Sequence, residues 1–215
     1  MPPSLRRWVR TCRFSLSILV LLSIAVQLNQ SVLEQGRPIS HFLSFFTIQS
    51  NLIAAVALAW LALRPADGLP SLGRDQLRSS TVLYMSVTGV VFALLLSALQ
   101  EQLQVTIPWV DNVLHRLTPV LLVADWIFDP PSPRLTLRSS LVALVFPLVW
   151  LVYTLVRGVL VQWYPYPFLD PAQPGGYTTV AIYSLAVTIG STFILWLIVL
   201  VGAREARTPS GRWQR

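Results

Sequence analysis

The 215-residue chain reads as an all-α, polytopic membrane protein, a bundle of six transmembrane helices with both termini cytoplasmic. Three observations predict this. Only 12% of its residues are charged and 54% are hydrophobic, where an ordinary soluble domain carries about 25% charged residues. The apolar residues fall into runs near the length of a bilayer crossing. The basic residues, all 16 of them arginine, cluster at alternate ends of those runs.

Taken in order, the apolar segments are roughly Phe14–Leu28, Phe42–Leu63, Ser79–Leu99, Pro108–Phe128, Leu137–Val161 and Tyr177–Gly202. A hydrocarbon core takes about 20 helical residues at about 1.5 Å each. The first segment is the exception in length, and it reaches that span if the Arg10 and Arg13 stems snorkel. Arginines before an apolar stretch also mark signal peptides. Gln27, Asn29 and Gln30 follow here in place of a small-x-small cleavage site, so an uncleaved first helix is expected. Pro38, Pro65 to Pro70, the Pro130–Pro133 run and Pro165 to Pro174 punctuate the connections, since proline ends helices. Residues 1–215 thus form one integral membrane domain with Arg-rich ends at about 1–13 and 203–215.

Charge sets the orientation. Arg6, Arg7, Arg10 and Arg13 precede the first helix, and Arg64, Arg74 and Arg78 join the second to the third. Arg134 and Arg138 join the fourth to the fifth, and Arg204, Arg207, Arg212 and Arg215 end the chain. The opposite loops hold only Arg37, while Arg116 and Arg157 lie within helices. The positive-inside rule places the arginine-rich side in the cytoplasm. The formal charge of +7 is therefore a topology signal and a contact for anionic lipid headgroups, and nucleic acid is not expected as a partner. The absence of lysine points to a GC-rich bacterial genome, hence to the bacterial inner membrane. The single cysteine, Cys12, excludes a disulfide framework.

Against this background the polar residues within the spans stand out. In "FFTIQSNLI", Thr47, Ser50 and Asn51 share a helix face at i, i+3 and i+4, with Gln49 beside them. Asp111, His115, Thr118, Leu122 and Asp125 form a stripe on the fourth helix; Trp150, Tyr153 or Thr154, and Arg157 form one on the fifth. The orientation puts Thr47 roughly 8 Å and His115 roughly 10 Å below the outer boundary, with Arg157 approaching the same layer. Charged groups at such depth cost about 2.5–3.5 kcal/mol on insertion scales and normally face the bundle interior. Bland readings exist for each: back-bonding hydroxyls for Thr47 and Ser50, interhelical packing for Asn51 and Gln49, snorkelling for Arg157. Asp125 could cap its helix or pair with an arginine such as Arg134. A joint reading is acyl transfer, with Thr47 as nucleophile, His115 as base and Asp111 orienting the imidazole. Asn51, Gln49 or Arg157 would then stabilise an oxyanion. The external loop "WYPYPFLDPAQPGGY" is either a headgroup-level aromatic belt of Trp163, Tyr164 and Tyr166 or a stiff lid.

The stretches "FFTIQSNLI", "LHRLTPVLLVADW" and "YPYPFLD" resemble the six-helix androgen-induced and androgen-dependent TFPI-regulating proteins, and most closely their bacterial branch. The likeness extends over nearly the whole chain in helix number and order. Vertebrate members are atypical membrane hydrolases that cleave fatty acid esters of hydroxy fatty acids with a threonine and a histidine. The resemblance implies Thr47 as the threonine and His115 as the histidine; it assigns no role to Asp111, Asn51 or Arg157. For a bacterial member it implies a lipid or fatty-acyl ester as substrate; for the Thr47 and His115 chemistry no cofactor or metal is expected. Two other readings remain open at this point: a small transporter or assembly subunit with a polar binding layer, and haem or metal ligation by His41 and His115, the only histidines.

Overall fold

A computed structural model describes residues 3–64, 71–97, 107–129 and 135–205. Among the described residues there are helices and connections and no strand. Five helices are long and apolar enough to cross a membrane: Ser4–Glu34, Phe46–Leu63, Leu72–Leu96, Leu137–Val161 and Gly176–Gly202. The stretch from Pro108 to Phe128 is helical too, but it carries Asp111, Arg116 and Asp125 and is not among those five.

Helix α1 covers Pro3–Leu28 and ends in a π-helical turn, Asn29–Glu34. It is much longer than its apolar run, so Arg10 and Arg13 lie inside it. Snorkelling is not how Arg13 is accommodated. Its guanidinium is buried and forks onto Asp125 at 2.8 Å and Asp129 at 2.6 Å. Arg10 donates to the Ala62 carbonyl at 2.8 Å. Next comes a four-residue turn, α2 (Ile39–Phe42), and then α3 (Phe46–Leu63). The expected continuous helix from Phe42 is therefore interrupted at residues 43–45.

Helix α4 (Leu72–Val91) begins seven residues before its apolar run, because Ser71 caps it by accepting from the Arg74 N–H at 3.4 Å. Arg74 and Arg78 are thus helical residues, and Arg78 is buried beside Asp125 and Asp129. The helix continues as a π-helical turn, Phe92–Leu96. Then follow α5 (Pro108–Asn112), a π-helical turn at Val113–Leu117, and α6 (Thr118–Phe128). A capping box at Thr136 and Ser139 starts α7 (Leu137–Ser140), a 3-10 turn leads into α8 (Val145–Val161), and α9 spans Gly176–Glu205. The proline clusters at 65–70 and 130–133, Arg134, and Arg207, Arg212 and Arg215 lie outside the described residues.

Helix α1 packs on α3, α3 on α4, and α4 on both α6 and α9. The central helices bury 61% of their most apolar windows, against 17% for Leu137–Val161 and 22% for Gly176–Gly202. The last two spans therefore present apolar side chains such as Val152, Leu160, Ile182 and Ile189 to the surroundings. That surface suits hydrocarbon, where apolar exposure carries no hydrophobic cost.

Candidate active site

The site forms where two helices are interrupted. The first interruption, between α2 and α3, contains neither glycine nor proline. Its freed backbone groups are paired by side chains from elsewhere. Gln49 Nε2 donates to the Leu43 carbonyl at 2.8 Å, and Trp150 Nε1 donates to the Ser44 carbonyl at 3.0 Å. Ser44 Oγ donates to the Ser40 carbonyl at 2.6 Å and lies 3.0 Å from the Tyr153 hydroxyl. The polar stripe of α8 thus closes the break, as a bilayer requires of any open backbone. Restarting at Phe46 puts Thr47 in the first turn of α3, where N–H groups have no partner within the helix.

The second interruption is the π-helical turn at Val113–Leu117, which holds His115. Pro119 has no N–H to offer the His115 carbonyl, so the regular ladder cannot pass this point. Thr118 Oγ1 donates instead to the Val113 carbonyl at 2.8 Å. Gly89 allows α4 to come close: a Cβ there would lie 3.1 Å from Pro119 Cβ and 3.5 Å from the His115 carbonyl oxygen. Asn51 joins the two interruptions, donating from Nδ2 to the Thr47 carbonyl at 2.9 Å and the Leu114 carbonyl at 3.2 Å.

Thr47 and His115 meet there. Thr47 Oγ1 lies 3.1 Å from His115 Nε2, and His115 Nδ1 lies 2.7 Å from Asp111 Oδ1. The carboxylate assigns the ring proton to Nδ1, leaving Nε2 as acceptor for the threonine hydroxyl. The second oxygen of Asp111 accepts from Arg116 at 3.2 Å, and Arg116 also bonds the Asn112 side chain. Phe92 stacks on the imidazole at 4.2 Å between ring centres and 16° between planes, and the Arg116 guanidinium lies 4.9 Å from the same phenyl ring. The histidine is thereby fixed at both nitrogens and on one face.

A fourth group, Tyr166, completes the cluster, and the sequence did not single it out for the site. Its hydroxyl is 3.3 Å from Thr47 Oγ1 and accepts from the Thr47 N–H at 3.3 Å. Instead of resting at the headgroup level, Tyr166 is buried, 5% exposed, between Phe45, Trp150 and Phe168. Burial raises its phenol pKa above the ordinary 10.0, against the opposing effect of the hydrogen bonds from Thr47, so it stays a proton donor. The loop that carries it is folded into the bundle: Leu169 is buried, and Gly158 leaves room for Tyr164, whose ring would clash with any Cβ there. One signal was present in the sequence. Pro165 and Pro167 bracket Tyr166 and hold its backbone extended, which aims a single ring inward.

The other expected residues have different tasks. Arg157 does not approach Thr47; it donates to Ser40 Oγ at 3.2 Å and lies 5.3 Å from the Trp163 ring, a nearer partner for a guanidinium at that end of α8. Gln49 Nε2 is turned to the Leu43 carbonyl, and both Asn51 amide hydrogens go to backbone carbonyls, so neither amide is directed at Thr47 Oγ1. Asp125 pairs with Arg13 and Arg78. The two histidines face different partners, since His41 stacks on Trp163 at 4.0 Å with a 7° interplanar angle. The carboxyl–imidazole pair is therefore directed at a hydroxyl and not at a second imidazole.

Two cavities flank Thr47. One, about 840 Å³ including its open side, lies between α3, α4, α8 and α9 and is lined by Thr47, Trp150, Tyr166 and aliphatic residues such as Val87, Leu148 and Val187. The other, about 780 Å³, also contains Thr47 and Tyr166, and adds His115, Asp111, Gln35 and Arg37. A hydroxyl that donates to a carboxylate-oriented imidazole, beside a protonated phenol and at a helix N-terminus, has the parts of an activated nucleophile. Compared with known proteins, the chain matches no family model, no curated protein and no solved structure.

Proposed function

We propose that the protein is an integral membrane hydrolase of lipid or fatty-acyl esters, with Thr47 as nucleophile and His115 as general base. The observation that carries this reading is the chain Asp111–His115–Thr47–Tyr166, buried except for the half-buried imidazole, with successive contacts of 2.7, 3.1 and 3.3 Å, set between two cavities. The Thr47 hydroxyl proton passes to His115 Nε2 as Oγ1 bonds to the acyl carbon. Asp111 holds the imidazole and balances the imidazolium charge. The ester oxygen leaves with the proton that His115 returns, and water then repeats the sequence on the acyl-threonine, releasing the fatty acid and restoring Thr47. The tetrahedral oxygen takes up negative charge in each half. The Tyr166 O–H is the donor that can meet it, joined by the first-turn N–H of Thr47 when that group exchanges the Tyr166 oxygen for the oxyanion. Arginine placement supports a bacterial cell membrane location with both termini cytoplasmic and Thr47 toward the outer leaflet.

Thr47→Ala and His115→Ala are each expected to abolish turnover of a fluorogenic acyl ester while the detergent-purified protein stays folded. A covalent serine-hydrolase probe should label the wild type and not Thr47→Ala. Turnover by both variants at the wild-type rate would end the proposal. A second reading, a non-catalytic transporter or assembly subunit, gains from one observation: two interrupted helices meet at the polar cluster, an arrangement that transporters use to bind solutes. It predicts ligand binding without turnover, and the same assay separates the two.

A further inference from the structure

We infer that the two cavities divide the ester between them. The acyl chain lies in the cavity between α3, α4, α8 and α9, and its tail leaves the bundle sideways into the bilayer through the cleft between α4 and α9 at Gly190. The alcohol occupies the chamber on the His115 side. This assignment rests on the hydrolase reading and gives its site a direction.

Proton delivery supplies the direction. Thr47 and Tyr166 line both cavities, whereas His115 and Asp111 line only one. The imidazole that takes the Thr47 proton must hand it to the departing alkoxide, so that oxygen has to lie within hydrogen-bonding reach of Nε2. The leaving group therefore points into the chamber that contains His115, and the substituent on the acyl carbon points into the other. The linings agree with this division. Among the described residues no charged side chain lines the acyl cavity, whose walls are aliphatic and aromatic with neutral hydroxyls such as Thr88 and Thr188, while Gln27, Gln35 and Arg37 line the alcohol chamber and suit a polar-ended group.

The acyl cavity does not end inside the bundle. Val87, Val91, Tyr183, Val187 and Ser191 belong both to it and to an apolar cleft of about 620 Å³ between α4 and α9. On its outer side the cleft is bordered by Val90 and Leu94, 45% and 77% exposed, on helices whose surroundings are lipid in the membrane reading. A Cβ built at Gly190 meets nothing within 4 Å, so the glycine leaves open space in the wall of the cleft. These shared walls give a chain that starts at Thr47 a route to the outside of the bundle.

The test uses the full-length protein in detergent and two ester series with a fluorogenic alcohol. Gly190→Phe fills the cleft and is expected to lower the palmitoyl-to-butanoyl ratio of kcat/KM by about tenfold or more, the effect of displacing two or more buried methylenes. Gly190→Leu, a smaller graft into the same space, keeps the test open if the phenylalanine variant does not fold. Gln27→Trp, on the alcohol side, should alter the ranking of alcohols at fixed acyl group and leave the palmitoyl-to-butanoyl ratio as it is. A readout independent of turnover is photolabelling by palmitic acid carrying a terminal diazirine. It should mark peptides around Val90–Leu95 or Ala186–Ile194. An unchanged chain-length ratio in both Gly190 variants, or labelling confined to residues 27–37, overturns the assignment even if Thr47→Ala remains inactive and the hydrolase reading stands. A wild type that turns over no ester removes both.

Discussion

Tyr166→Phe isolates one hydroxyl and leaves its surroundings in place. The ring that remains keeps its parallel stack on Phe168, 5.4 Å between centres, and its edge contact with Phe45 at 5.7 Å. What disappears is an oxygen 3.3 Å from both Thr47 Oγ1 and Thr47 N. In the resting protein that amounts to long neutral hydrogen bonds, about 1 kcal/mol of net stability. In the transition state the same hydroxyl faces an oxyanion in a site shielded from water. Loss of one such donor costs on the order of 10²–10³ in kcat, or about 3–4 kcal/mol. Since the interaction strengthens only as charge develops, kcat should fall and KM should change little. Steady-state turnover of a fluorogenic acyl ester by the purified variant measures both constants. Wild-type kcat, or a raised KM with unchanged kcat, would refute the role given to Tyr166. The same substitution has a second signature at high pH. Burial makes the phenol harder to ionise in the folded chain than in the unfolded one. That contribution is intact below pH 10.0, the ordinary value, and is lost as the pH climbs toward the raised one. Unfolding free energy in detergent should therefore fall less steeply above pH 10.0 in Tyr166→Phe than in the wild type.

Asp111→Asn keeps the shape of the side chain but removes the charge that fixes the His115 tautomer, so kcat should drop on the order of 10²–10⁴ with the fold intact by circular dichroism. Near-normal turnover would leave Asp111 a role in packing only. Arg13→Ala acts far from Thr47, on the buried cluster with Asp125 and Asp129. Because Arg78 stays beside both half-buried carboxylates, it is expected to cost about 1.5–3 kcal/mol, the loss of charge-assisted hydrogen bonds, read as an earlier denaturation midpoint in detergent. The double variant Arg13→Ala, Asp125→Ala should cost less than the sum of its parts, because each single change already removes the Arg13–Asp125 contact.

Much of the architecture could be read from local pattern. Apolar runs identify five spans and the helical course of Pro108–Phe128, and i to i+4 spacing places Asp111 against His115. The departures come from partners remote in sequence. Arg13 meets Asp125 across 112 positions, and that pairing draws an arginine deep into α1 where lipid contact would have favoured snorkelling. The break before Phe46 has no glycine or proline to announce it; it is closed by Trp150 and Tyr153, about a hundred residues away. Tyr166 reaches Thr47 across 119 positions.

These remote contacts also explain why the nucleophile candidate lies where it does. In the middle of an unbroken membrane helix, the N–H of Thr47 would be committed to a carbonyl four residues back, and no backbone donor could turn toward an incoming carbonyl oxygen. With the helix interrupted just before Thr47, that N–H is held instead by the Tyr166 hydroxyl at 3.3 Å, a partner an incoming oxygen can replace. The bilayer tolerates the interruption only if every freed group finds a partner. Gln49, Ser44 and Trp150 supply partners for carbonyls there, Tyr153 meets the Ser44 hydroxyl, and Asn51 ties the restarted helix to the π-helical turn that carries His115. The polar side chains in "FFTIQSNLI" and the α8 stripe are therefore conditions for the site without being its reactive groups. Substituting them should weaken the break and displace Thr47 from His115, whereas His115 and Tyr166 contact the Thr47 hydroxyl directly and Asp111 acts on it through the imidazole.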